Sequence, residues 1–219
     1  MKNGLIVTEK GTKFYYKDDM LHNEDGPAVI YSTGTVEYWI DGKKHREDGP
    51  AVIHSNGDVE YRIEGKLHRE DGPAIIYSTG TIAYYIEGEL HREDGPAVIY
   101  PNDTVEYHIE DKLHREDGPA VIYPDGTLEY YVKHKLHRED GPAVIYPDGV
   151  TVYYINGERV DIYRPGFGCF EPKSRKDAIR RLDSKKRPFT RELYLADIDK
   201  MWPKKKKLFS WLKFCVKGK

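Results

Sequence analysis

The chain has little cysteine, few methionines and no long apolar run, and each shortage closes off a class of protein. Cys169 and Cys215 are the two cysteines, both in the last quarter of the chain, so no disulfide framework supports the fold. No stretch approaches the roughly 18–20 apolar residues of a spanning helix, and MKNGLIVTEKGTKFYY lacks the apolar centre of a signal peptide. Cytoplasmic residence, with peripheral membrane contact as a variant, is the expectation. Apolar residues make up only 38% of the sequence against 33% charged, which is lean for a thick globular core. Catalytic signatures are also wanting. Every glycine is isolated, so no loop reads as a phosphate cradle, and Ser32, Ser55 and Ser78 are turn residues without a neighbouring base. No enzymatic activity and no cofactor are expected.

Tyrosine is abundant, at 18 copies, and the sequence is periodic. His22, His45, His68, His91, His114 and His137 stand 23 residues apart, each opening a unit such as HREDGPAVIYPDGTLEYYVKHKL (114–136). The first copy varies this to HNEDGP. Residues 5–21 fit the same register upstream, with Gly11 in the place of Gly34. The register runs on through residue 159, and Val160 stands where a seventh His would fall.

Each unit holds two short runs rich in β-branched and aromatic residues, such as Ala28-Val29-Ile30-Tyr31 and Val36-Glu37-Tyr38-Trp39-Ile40. Ser-Thr-Gly or Pro-Asp-Gly between them predicts a type I turn closed by a glycine bulge. That turn pairs Ile30 with Val36 and places Ile30, Val36, Tyr38 and Ile40 on one face. In copy four Asp103 occupies the glycine position and is expected to be strained. The second run ends in a tight-turn pair, Asp41-Gly42 or an equivalent. Asp111 and His134 replace that glycine in copies four and five, predicting looser turns. Asp48-Gly49-Pro50 reads as the corner into the next unit. A lone hairpin is marginal in water, so the copies must shelter one another. The expected fold is mainly β: an elongated, twisted antiparallel ribbon of about 14 strands, with a short helical segment at its C-terminal end.

The period and the segment Tyr38-Trp39-Ile40-Asp41-Gly42-Lys43-Lys44-His45 resemble MORN repeats, and more closely the YwqK-like MORN-variant group of bacteria and viruses, which is typified by antitoxin components. The resemblance covers about residues 5–159. Arg-Glu-Asp-Gly-Pro stands where the family usually has Gly-x-Gly after the His, shifting the next turn by two residues. The resemblance implies a non-catalytic module that binds proteins and, in some members, lipid headgroups.

Six copies of His-x-Glu-Asp invite a metal reading, but zinc needs three or four ligands converging on one point. A 23-residue period spreads identical groups along a ribbon instead, and calcium lacks its dense oxygen-ligand loop. No metal site is therefore expected. In the structural reading Arg and Glu alternate in sign along the stack and His caps a turn. The tyrosines at 38, 61, 84, 107, 130 and 153 are expected in the core or lining a groove. Their neighbours Trp39, Arg62, Tyr85, His108, Tyr131 and Tyr154 occupy the other face and vary in type, as a partner-binding face would.

Charge divides the chain in two. Residues 1–163, the repeat domain, hold 17 Lys/Arg against 31 Asp/Glu, a balance of −14, whereas residues 164–219 hold 18 against 6, a balance of +12. An acidic body favours a protein partner with a basic surface, and it also serves as a solvated surface that resists aggregation. Beyond Arg164-Pro165-Gly166, Ser174 and Thr190 are candidate helix caps. In residues 204–219, Leu208, Trp211, Leu212 and Cys215 fall at helical spacing behind Lys204, Lys205, Lys206 and Lys207. Those lysines and Trp211 fit contact with an anionic membrane, with nucleic acid, or with the acidic ribbon or a partner's groove. The leading function is a non-enzymatic repeat scaffold for a macromolecular partner, in an antitoxin-like or inhibitor-like version. The rival is a peripheral adaptor acting through the basic end.

Overall fold

The computed structural model describes residues 1–163, and the helices and basic stretch expected in 164–219 lie outside the described residues. Within each unit the predicted turn forms. The Tyr31 N–H donates to the Thr35 carbonyl and the Gly34 N–H to the Tyr31 carbonyl, each at 2.9 Å, and Gly34 has φ 95°. This is a type I turn with a left-handed closing residue, and it sets Ile30 opposite Val36. Asp103 takes the same conformation at φ 66°, the strained position expected of it.

Successive hairpins pair in turn, Val36 with Ile53 and Glu37 with Val52, so that a 16-stranded antiparallel sheet runs from Gly4–Val7 to Glu158–Tyr163. The described residues hold 26 strands rather than about 14, because the second run of each unit changes partners at its tyrosine. Val36–Glu37 belongs to the long sheet, whereas Trp39–Ile40 pairs with Lys43–Lys44 in a two-stranded ribbon. At the switch, the Tyr38 N–H donates to the Ala51 carbonyl at 2.8 Å, and the Tyr38 carbonyl accepts from the His45 N–H at 3.1 Å. Neighbouring ribbons are stitched by the Arg46 N–H to the Arg62 carbonyl, 3.1 Å, and the Gly65 N–H to the Lys44 carbonyl, 2.8 Å. Both backbone groups of Tyr38 are thus paired at the switch.

The tight turns of copies four and five correct the sequence expectation. Glu110 and Asp111 have φ 51° and 61°, and Lys133 and His134 have 49° and 65°, the same left-handed pair as Asp41 and Gly42 at 47° and 76°. The turn stays tight because ribbon pairing and the backbone stitch to the preceding unit hold both flanking strands in register, and the non-glycine side chains add a bond to that unit. The Asp111 carboxylate accepts from the Leu90 N–H at 2.7 Å, and His134 Nδ1 accepts from the Leu113 N–H at 3.4 Å.

The two faces of the sheet are unequally buried. Ile30, Val36, Tyr38 and Ile40 remain half-buried, while Ala28 and Val29 are 0% and 1% exposed, and their copies follow them. The reason is what covers each face. Around copy three, Leu67, Tyr85 and Leu90 of the ribbons, with Tyr100, pack on Ile75, Ala83 and Val98, the row that contains Val29. At the end of the repeats, Glu158–Tyr163 folds back along Thr151–Ile155 with a bulge at Tyr153/Tyr154, pairing Thr151 with Tyr163.

Candidate binding surface

The linker between units shows what the repeated His, Arg and Asp do. Nδ1 of His45, His68, His114 and His137 accepts the N–H of the first tight-turn residue in the following unit, Glu64, Glu87, Lys133 and Asn156 respectively, at 3.0–3.3 Å. In two of these units Nδ1 also stands 3.1 Å from the carboxylate of the same turn residue, His45 from Glu64 and His68 from Glu87. The histidines are thus used in stitching units together, the turn-capping role read from the sequence. Within each linker the Arg pairs with the Asp two residues on rather than with the intervening Glu. Arg46 Nε donates to Asp48 at 2.8 Å, Arg46 sits 4.0 Å from the Tyr38 ring centroid, and the same arrangement recurs at Arg69, Arg92, Arg115 and Arg138. The Arg hydrogen bond and charge lower the pKa of Asp48, Asp71, Asp94 and Asp117. The stack also accounts for a glycine: a Cβ at Gly72 would stand 2.9 Å from the Arg69 guanidinium carbon. The Glu released from this pairing stands out in solvent, with Glu47, Glu70, Glu93 and Glu116 side chains 86–88% exposed.

The tyrosines at 38, 61, 84, 107 and 130 therefore lie half-buried under these guanidinium groups. The opposite face carries the six residues that vary in type. Trp39, Arg62, Tyr85, Tyr131 and Tyr154 are half-buried there, and His108 is buried at 6% exposure. Four are tied to the carboxylate two residues earlier. Trp39 Nε1 donates to Glu37 at 2.8 Å, Arg62 Nε to Glu60 at 2.6 Å and the Tyr131 hydroxyl to Glu129 at 3.1 Å, while His108 Nε2 is 2.9 Å from Glu106. His108 Nδ1 is buried with no hydrogen-bond partner among the described residues. Lys204, Lys205, Lys206, Lys207 and Trp211 lie outside the described residues.

A second row on this face was not singled out from the sequence. Tyr31, His54, Tyr100 and Tyr123 flank the same carboxylates from the first hairpin, with His54 Nε2 at 3.1 Å from Glu60 and the Tyr100 hydroxyl at 3.3 Å from Glu106. The legible signal was a carboxylate six residues after an aromatic or His, across the turn, in four copies. Burial, with Glu37, Glu106 and Glu129 adding their charge and hydrogen bonds, raises the pKa of Tyr31, Tyr100, Tyr123 and Tyr131. Glu60 shows the opposite balance: burial pushes its pKa up, but hydrogen bonds and charge from Arg62 and His54 bring it below the ordinary range.

Two copies break the row. Ala83 and Val152 replace the glutamate, and in those units Tyr77 and Tyr146 are each 40% exposed, whereas Tyr31, Tyr100 and Tyr123 are half-buried. An open cleft of about 440 Å³ lies beside the second, lined by Tyr146, Val152, Tyr154 and Arg159 among others.

No protein-family model matches the chain, and no curated protein sequence matches it. Among solved structures, the chain is similar to the G-box domain of the microcephaly protein CPAP, whose structural analysis suggests a role in centriole elongation. The identity is 20%, over 74% of this chain and 81% of that one, and the TM-score is 0.23. At that score the likeness bears on neither fold nor function.

Proposed function

We propose that the chain is a non-catalytic repeat scaffold that holds a macromolecular partner with a basic surface, and that Tyr77 and Tyr146 anchor it. The observation that carries this reading is the break in the carboxylate row. Where Ala83 and Val152 remove the acceptor, a tyrosine ring is freed, beside Tyr85 in one unit and Tyr154 in the other. Tyrosine is a preferred anchor at interfaces, because it presents a large ring and a polar tip with few rotatable bonds. The anchors are three units apart, roughly 29 Å at ~4.8 Å per strand. The exposed Glu47, Glu70, Glu93 and Glu116 and the net −14 of residues 1–163 supply long-range attraction for a basic partner. The row of Trp39, Arg62, Tyr85, His108, Tyr131 and Tyr154 then shapes the contact between the anchors. The resemblance to YwqK-like MORN variants makes an antitoxin-like inhibitor the specific version of this proposal.

The test is affinity capture from the native host with full-length wild type and with a Tyr77→Ala/Tyr146→Ala variant. The expected result is a basic protein held by wild type, released by about 0.5 M salt, because exposed charges are screened beyond a few ångströms there, and lost by the variant. Deletion of 204–219 is expected to leave capture intact. Equal capture by wild type and the tyrosine variant overturns the anchoring, and capture that disappears with residues 204–219 favours the adaptor reading instead.

A further inference from the structure

The face of the long sheet opposite the carboxylates carries an uninterrupted aliphatic ladder. Its rungs start at Ile30 and Val36, continue through Ile53 and Val59, and end at Leu128 and Ile145. All 11 are Ile, Val or Leu, set directly opposite one another strand by strand. Each rung is only half-buried, whereas Val29 and Val52 on the other face are 1% and 0% exposed. At ~4.8 Å per strand the ladder is roughly 50 Å long, and so large a contiguous apolar strip marks a contact surface.

The structure assigns an occupant: we infer that the chain's own basic segment, residues 164–219, lies along this ladder, with Leu208, Trp211, Leu212 and Cys215 on the aliphatic rungs. Three observations select it over a foreign partner. The first is position. Thr151 follows Ile145 in the same row, and Thr151 pairs with Tyr163, so the last described residue stands at the end of the ladder itself. The second is reach. Forty residues separate Tyr163 from Lys204, and even at the helical rise of 1.5 Å per residue they cover roughly 60 Å. The third is charge. The segment's +12 meets the ribbon's −14, and the exposed Glu47, Glu70, Glu93 and Glu116 recur along the ribbon at each unit. Tethering makes the contact intramolecular, so even a weak pairing is well populated. The ladder is on the face opposite Tyr77 and Tyr146, although the same exposed glutamates serve both proposals.

Both cysteines lie in the segment and none in the repeats, which provides the test. A nitroxide is attached to Cys215 in full-length Cys169→Ser protein, with the isoleucine δ1 methyls labelled for NMR. Ladder methyls such as Ile53, Ile99 and Ile122 are expected to lose more than half their intensity in 50 mM salt. Ile6 and Ile75, in the row of Val29 on the opposite face of the sheet, are expected to lose much less. In 500 mM salt, or with Lys204–Lys207 changed to Glu, the ladder signals return. Equal broadening of both sets, or none, overturns the proposal. So does broadening that appears when methyl-labelled and nitroxide-labelled chains are separate molecules, which would make the occupant a second copy. Loss of broadening on adding anionic vesicles, with the ladder then open, would show that the segment prefers a membrane and likewise overturns it.

Discussion

At His108 the repeat carries an imperfection that a single substitution can relieve. Its Nε2 meets Glu106 at 2.9 Å, but Nδ1 is buried without a partner among the described residues. A buried unsatisfied nitrogen costs about 1–3 kcal/mol. The equivalent residue is tyrosine in copies three, five and six, and Tyr131 reaches its glutamate with a hydroxyl, leaving no second polar atom to bury. His108→Tyr is expected to raise stability by about 1 kcal/mol, read as a higher urea midpoint at unchanged slope. His108→Phe is expected to lower it, because Glu106 then keeps only the Tyr100 hydroxyl at 3.3 Å. If both variants shift the midpoint the same way, the carboxylate has no need of its partner and the reading of this face is wrong. The residue scale was where the sequence was least legible. That Trp39 and its copies share a face followed from alternation, but their bonds to Glu37 and its copies depend on which side chains reach back two residues, and no pattern of residue types states that.

Among the elements, the two-residue turn shows local preference yielding to its surroundings. Asp41-Gly42 is a strong signal for two left-handed residues, and its loss at Asp111 and His134 was reason to expect a different loop. The loop kept its form because both flanking strands are already held in register, by ribbon pairing and by the stitch to the previous unit. A non-glycine residue held left-handed costs roughly 1–2 kcal/mol. At Asp111 a 2.7 Å bond to the Leu90 N–H offsets that cost, whereas the 3.4 Å contact of His134 offsets little of it. His134→Gly is therefore expected to stabilise the protein by about 1 kcal/mol, and Asp111→Gly to leave it nearly unchanged. Paired thermal melts of the two variants decide this, and a larger gain at Asp111 would refute the compensation. The hairpin turn, its register and the pairing of Ile30 with Val36 were all legible, because Pro, Asp and Gly at fixed offsets specify a backbone shape. The partner switch at Tyr38 was not legible, since Val36 through Ile40 reads as one unbroken β run.

For the whole molecule, a chain of like units multiplies whatever each unit does, and acid response is where this is measurable. Arg46, Arg69, Arg92 and Arg115 each hold an aspartate below its ordinary value of 3.8, through a hydrogen bond first and charge second. A carboxyl whose pKa is lower in the folded state stabilises the fold above its unfolded value, and that contribution is lost as pH falls through 3.8 and below. One exposed pair contributes little, but four act in the same direction. Acid also neutralises the ribbon's surplus of carboxylates and so relieves self-repulsion, which opposes the loss. Comparison with a variant separates the two effects. Asp48→Asn, Asp71→Asn, Asp94→Asn and Asp117→Asn combined remove the Arg-linked term and leave most of the surplus charge in place. The melting temperature of wild type is expected to fall more steeply between pH 4.5 and 2 than that of the fourfold variant, with the gap between them closing as the pH drops. Parallel curves would mean that the Arg–Asp pairs, for all their regularity, do not couple proton binding to the stacking of the units.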